Sequence, residues 1–122
     1  MKRRLYCIFS KEAVAKMKGN RGKLAAQAGH AFLHAYWDAE ARFCGPTEHY
    51  RASPHAFKIV LIVDTDAELV ALRDAYQDQC GVSLTTDAGF TVFDEPTITC
   101  LGIGPIEEDA VGDDLKGLKL FL

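Results

Sequence analysis

Polar side chains that could act together on a substrate recur at helical spacing near the start of the chain. At about 100° per residue, Lys23, Gln27, His30 and His34 fall within roughly 60° of one another on a helical wheel. Lys23 stands at the expected helix start, where a cation is unfavourable unless an anion binds there too. Spacing alone favours a core helix with a solvated polar edge, and an anion-binding helix start is the functional alternative.

The helix that carries these side chains is predicted to run from about Gly22 to Arg42. Its other side is expected to be small and apolar, which would let the helix lie close to whatever covers it. That side comprises Ala25, Ala28, Phe32 and Ala35.

Several kinds of site are not favoured by the motifs. Gly22-Lys23 lacks the rest of a phosphate-binding loop, and no GxGxxG follows a predicted strand. His30 and His34 have ligand spacing, but no glutamate completes an HExxH motif. The four cysteines form no CxxC pair, and three of them are expected to be reduced core thiols. We therefore predict neither a metal nor a cofactor.

Charge and hydropathy place the chain among ordinary globular proteins. Its 122 residues are 48 % hydrophobic and 25 % charged, with a net charge of −3. This balance argues against coating nucleic acid by bulk charge, but eight of the fourteen basic residues lie in the first 23 positions and allow a local basic patch. Because neither a signal peptide nor a membrane-length apolar run is visible, we expect a cytoplasmic protein without membrane contact.

The remaining elements alternate between strands and helices. Strands are predicted at Arg4–Phe9, Ala56–Val63, Val82–Thr86 and Thr97–Ile103. Of these, Ala56–Val63 is expected to be central in the sheet, and Gly104-Pro105 is expected to close the last strand. Helices are predicted from an N-cap within Asp64–Asp66 to about Gln79 and over Ile106–Val111, and a leucine-rich tail follows at Leu115–Leu122. Ser10–Asn20 is expected to be a polar connection with at most a short helical turn. Gly45-Pro46 is expected to end the long helix and start a linker, Thr47–Pro54, in a polar region where His49 and His55 are exposed. This order predicts one α/β domain over residues 1–122, with a mixed sheet.

Asp87 is the carboxylate most favourably placed for function. It ends a predicted strand and begins the turn Asp87-Ala88-Gly89, a position where α/β sheets commonly carry functional groups. Thr91 follows four residues later and could supply a hydroxyl beside the carboxylate. Taken on its own, the local pattern favours an ordinary turn-forming aspartate beside glycine.

Four separated stretches resemble the archaeal and eukaryotic (type II) peptidyl-tRNA hydrolases. Arg21–Ala31 is similar to the helix signature of that family, and Asp87–Thr91 to its turn motif. Thr97–Pro105 resembles the strand that follows, and Leu115–Leu120 the chain end. The matches occur in the family's order and span most of the domain.

The resemblance implies a four-stranded mixed sheet with helices on both faces, a homodimer, and hydrolysis of the ester between a peptide and tRNA without metal or nucleotide. By motif, Lys23, Asp87 and Thr91 stand at the positions of the family's proposed catalytic residues. The substrate-binding set that we assign is Arg21, Gly22, Gln27 and His30. The expected partner is peptidyl-tRNA, bound through its single-stranded acceptor end.

Two other functions remain open at this point. The same fold could be a non-catalytic module that binds tRNA, a nucleotide or a protein, or it could hydrolyse an ester or amide of a smaller substrate. Val92, Asp94 and the longer connection over Ser10–Asn20 depart from the family pattern and favour divergence.

Overall fold

The longest element is the predicted helix around Lys23, which begins at Arg21 because Asn20 caps it. The Asn20 Oδ1 atom accepts a hydrogen bond from the Lys23 backbone N–H at 3.0 Å. The computed structural model describes residues 2–87 and 97–122. Their elements in chain order are β1 (Arg3–Ser10), α1 (Lys11–Lys16), α2 (Arg21–Arg42), α3 (Cys44–Ala52), β2 (Lys58–Val63), α4 (Asp66–Tyr76), β3 (Val82–Asp87), β4 (Thr97–Glu107), a 3-10 turn (Glu108–Ala110), α5 (Asp113–Lys116) and β5 (Lys119–Leu120).

The described strands form one mixed sheet in the order β3-β4-β1-β2-β5. β1 pairs parallel to β2, and the other pairs are antiparallel. The mixed α/β sheet is confirmed, but it has five strands in the described residues rather than four, because Lys119–Leu120 pairs with Leu61–Ile62. β2 is therefore less central than predicted, since only this two-residue strand lies beyond it.

Each face of the sheet has its own apolar core. On one face, α4 contributes Leu69, Leu72 and Tyr76, which confirms the predicted apolar face of that helix. Thr65 begins α4 through a capping box with Glu68. The other face packs against α1 and α2. Its fully buried side chains are Cys7, Phe9, Ala13, Met17, Ala31 and Cys100.

Small residues let α2 lie directly on the sheet. Its buried positions follow a four-residue spacing, namely Gln27, Ala31, Ala35 and Ala39. A Cβ atom added at Gly102 of β4 would overlap the carbonyl oxygen of Ala31. The predicted apolar face was wrong at Ala25, which is exposed, because the buried stripe begins at Gln27 and turns gradually around the helix.

Two connections contain more helix than predicted. Ser10 caps α1 by accepting the Ala13 N–H at 3.0 Å, and Met17 anchors the end of that segment in the core. The long helix ends at Arg42, as predicted, but the break lies at Phe43 rather than at Gly45-Pro46. The predicted linker was wrong, because α3 covers most of it. Pro46 lies in the first turn of α3, where its missing N–H leaves no helical hydrogen bond unmade.

β4 continues past its predicted end. The strand runs through Gly104-Pro105, a cis peptide bond, to Glu107, and Gly104 takes a φ of +118° that favours glycine. The predicted acidic helix over 106–111 is therefore reduced to the 3-10 turn at Glu108–Ala110. None of the helices in the described ranges is both long and apolar enough to span a bilayer.

Asp38 joins α2 to the start of β3 and should make stability depend on pH. Burial raises its pKa, but hydrogen bonds from Arg42 (2.7 Å) and from the Val82 N–H (2.9 Å) outweigh burial and leave the pKa below its usual 3.8. The stabilisation is therefore present above pH 3.8 and is lost as the pH falls through the lower folded-state pKa. Urea unfolding of Asp38→Asn and wild type across pH 3–7 should show a difference at neutral pH that shrinks towards pH 3. A constant difference would contradict this account.

Candidate active site

A buried hydrogen bond joins the first turns of α2 to β4. Gln27 is 4 % exposed although its side chain is polar, and its Oε1 atom accepts from the Thr99 hydroxyl at 2.8 Å. The Cys100 thiol donates to the Gln27 carbonyl oxygen at 3.4 Å. These contacts hold Gln27 against the sheet, while His30 and His34 farther along α2 stay exposed.

A β-bulge at Thr99 makes this contact possible. Thr85 pairs with Cys100, but Thr86 pairs with Ile98, so β4 has one extra residue at this point. Consequently Ile98 and Leu101 both pack in the α4-side core, while Thr99 and Cys100 both contact α2. The bulge therefore turns two successive side chains of β4 towards the helix.

α2 and β4 run side by side, which places Lys23 level with the end of the β3–β4 pair that carries Thr97 and Asp87. Ala31 lies against Gly102, and Gln27 lies against Thr99. One helical turn back from Gln27, about 6 Å, is Lys23; two strand residues back from Thr99, about 6.6 Å, is Thr97. Thr97 is the register partner of Asp87. The start of α2 therefore lies beside the strand ends that carry Asp87.

Beyond Gln27, the same face of α2 borders an open cleft of 340 Å³. Gln27, His30 and His34 form one wall, and Ser83–Thr86 of β3 form the other. Within the described part of the chain, the buried Thr85 Oγ1 atom has no hydrogen-bond partner. A polar cleft thus begins at Gln27, in the second turn of α2.

The predicted site residues fall into three groups. Gln27 and His30 share the cleft side of α2, where Gln27 is buried and His30 is exposed. Lys23 is half-buried one helical turn before Gln27. Arg21 and Gly22 are both exposed at the helix start. Thr91 lies outside the described residues.

Thr99 is a site residue that motif reasoning missed. Thr99 lies inside the stretch Thr97–Pro105 that resembles the family strand, but its local sequence predicts neither a bulge nor the contact with Gln27. Bulges depend on the pairing of two strands, so a single strand sequence does not reveal them.

The three buried cysteines have the character of core thiols. Cys7, Cys80 and Cys100 are free and buried, as predicted. A hydrogen bond with Cys100, together with burial, raises the pKa of Cys7 well above its usual range. Desolvation raises the pKa of Cys80 to about 12. Among the described residues, no group of three or more His, Cys, Asp or Glu side chains is arranged to hold a metal ion.

Comparison with known proteins identifies the family. The model of the family described as peptidyl-tRNA hydrolase PTH2 matches residues 12–121, which is most of the chain. The chain belongs to the peptidyl-tRNA hydrolase PTH2 family. The resemblance found in the four separated motifs is therefore confirmed.

Archaeal members of the peptidyl-tRNA hydrolase PTH2 family match over nearly the whole chain. The peptidyl-tRNA hydrolase of Methanococcus vannielii is 37 % identical over 106 residues, covering 86 % of this chain and 90 % of its own. That of Methanopyrus kandleri is 38 % identical over 107 residues, covering 84 % and 90 %. That of Haloquadratum walsbyi is 33 % identical over 110 residues, covering 89 % and 95 %.

A double-mutant cycle can measure the contact that holds α2 on β4. Gln27→Leu and Thr99→Val should each destabilise the fold, because each leaves the other polar group buried without this partner. The double variant should be more stable than the sum of the two losses predicts, by about 1 kcal/mol. Urea unfolding of all four proteins provides the measurement, and strictly additive losses would argue against the hydrogen bond.

Proposed function

We propose that the chain hydrolyses the ester that joins a peptide, or an N-blocked aminoacyl group, to tRNA. Membership of the peptidyl-tRNA hydrolase PTH2 family supports this reaction. The observation that carries the proposal is the Gln27–Thr99 hydrogen bond of 2.8 Å, which holds the start of α2 beside the strand ends. Ester hydrolysis needs a group that positions water and a donor for the developing oxyanion. Asp87 at the strand ends is a group of the first kind, and Lys23 at the start of α2 is a group of the second.

In this proposal each of three residues, Lys23, Asp87 and Thr91, has its own catalytic role. The Lys23 ammonium, together with the N–H groups and dipole of the helix start, stabilises the oxyanion that forms as water attacks the ester carbonyl. The Asp87 carboxylate orients that water and accepts its proton. Thr91 holds the water or the terminal ribose by a hydrogen bond from its hydroxyl.

The tRNA part of the substrate is bound by the exposed start of α2 and the cleft beyond it. Arg21 and the Gly22 backbone would contact a phosphate of the single-stranded acceptor end, where positive charge and helix N–H groups are favourable. Gln27 and His30 would contact the substrate from the helix face. Neither a metal nor a cofactor is required in this scheme.

We also propose that the enzyme acts as a cytoplasmic homodimer. Leu33 is 45 % exposed and lies at an apolar hollow with Phe32 and Tyr36. A second copy would remove this surface from water, which favours association. Sedimentation of the purified protein over a range of concentrations would determine its oligomeric state.

A comparison of substrates tests the proposed reaction. The protein should release the blocked amino acid from N-acetyl-aminoacyl-tRNA far faster than from the 3′-terminal aminoacyl-adenosine alone, because phosphate contacts contribute to binding. That preference should weaken as salt increases. Equal rates on both substrates would favour hydrolysis of smaller esters, and tRNA binding without release would favour a non-catalytic module.

A further inference from the structure

A row of three rings lies along the exposed side of α2. The His30 and His34 rings meet edge to face at 5.6 Å between centroids, and the His34 and Trp37 rings lie 5.4 Å apart at 37°. Trp37 is 52 % exposed, although tryptophan side chains are mostly buried on average. We call His30, His34 and Trp37 the ring strip.

The ring strip continues the proposed active site. Gln27, which is bonded to Thr99, lines the same cleft as His30 and His34. From Lys23 to Trp37 is fourteen residues by number, or about 21 Å along the helix axis. A substrate whose ester lies at the helix start could therefore extend along the strip.

The opposite wall of the cleft supplies polar groups for such a ligand. Ser83, Thr85 and Thr86, which all carry a hydroxyl group, line that wall. The Asp38 carboxylate near the far end is already engaged by Arg42 and by the Val82 N–H. It therefore opposes an anionic ligand less than an unpaired carboxylate would.

These observations favour nucleobases over a peptide chain. Single-stranded nucleic acids are bound by stacking of bases on aromatic and imidazole rings, combined with hydrogen bonds to base edges. Six of the seven residues that line the cleft carry an imidazole, an amide or a hydroxyl group, and Leu84 is the one apolar residue among them. Its 340 Å³ is at the small end of ligand pockets and matches one nucleoside better than a folded partner.

We propose that the ring strip and the cleft bind the unpaired cytidine-cytidine-adenosine end of tRNA by base stacking. This inference rests on the proposed function and assigns the acceptor-end subsite of that reaction. His34 and Trp37 are binding residues in this account and take no part in the chemistry.

Fluorescence provides a direct test, because Trp37 is the single tryptophan of the chain. Titration with the RNA trinucleotide CCA should quench the Trp37 fluorescence to a plateau, and an abasic trinucleotide should not quench it. His34→Ala should weaken trinucleotide binding about tenfold, whereas His49→Ala, an exposed histidine on α3, should leave it unchanged. Equal quenching by the abasic chain, or none by CCA, would overturn the proposal.

Steady-state kinetics provide the second readout. Trp37→Ala should raise KM for N-acetyl-aminoacyl-tRNA about tenfold with kcat within about twofold, and Trp37→Phe should restore KM because it keeps a stacking ring. A KM penalty that grows with peptide length while CCA binding is intact would assign the strip to the peptide and overturn the proposal. Because the titration involves no hydrolysis, CCA binding by an inactive wild type would refute the proposed function alone.

Discussion

Lys23→Ala should lower kcat for N-acetyl-aminoacyl-tRNA hydrolysis by at least about a hundredfold, with a smaller effect on KM. The size follows from the loss of one donor to a developing oxyanion, which typically costs 10²–10³ in rate. Lys23 interacts with negative charge that grows during the reaction, so its removal should affect the transition state more than the bound substrate.

A matched lysine separates this effect from a general loss of charge. Lys116→Ala removes the same charge from exposed α5, in a helix distant in sequence from the proposed site. It should leave kcat within about twofold of wild type, because surface substitutions away from a site are usually mild. Comparable losses in the two variants would remove the special role assigned to Lys23.

Asp87→Asn gives an independent measure of the proposed base. The amide retains the shape of the side chain but does not accept the proton of the attacking water, so kcat should fall by about 10²–10⁴. The affinity for deacylated tRNA, measured by filter binding, should stay close to that of wild type. A variant that hydrolyses normally would exclude Asp87 as the base.

Gly102→Ala should strongly destabilise the fold. The added methyl would overlap the Ala31 carbonyl oxygen, which is helix backbone that no side-chain rotation can move aside. α2 would have to shift away from β4, and we expect a loss of about 3 kcal/mol in the free energy of unfolding. Urea unfolding followed by circular dichroism measures the change.

Gly29→Ala is the matched control within α2. A Cβ atom at Gly29 would meet nothing within 4 Å, and alanine has the higher helix propensity. This variant should therefore be about 0.5–1 kcal/mol more stable than wild type. If Gly102→Ala were as stable as Gly29→Ala, the close packing of α2 on the sheet would be disproved.

Hydrophobic pattern predicted the long elements well. The 22 residues of α2 and the buried face of α4 were visible because apolar residues recur at helical spacing over several turns. β5 and α3 were missed for local reasons. β5 has only two residues and forms through its pairing with β2. A proline is typical both of a helix break and of the first turn of a new helix, and Pro46 stands in the first turn of α3.

The site was predicted only in part. Spacing placed Lys23, Gln27 and His30 on one face of α2, but it did not show that Gln27 is buried against the sheet, because that depends on which strand lies opposite. The Thr99 bulge depends on the register between β3 and β4, which no single stretch encodes. The assignment of Asp87 and Thr91 came from the family motif rather than from physical pattern.

The most direct test of the central claim is a single-turnover measurement of N-acetyl-aminoacyl release from tRNA by the purified wild-type protein in EDTA. The account predicts release that persists in the chelator and that is lost in both Lys23→Ala and Asp87→Asn. Absence of release by a folded wild-type protein would contradict the account and would identify the fold as a non-catalytic binding module.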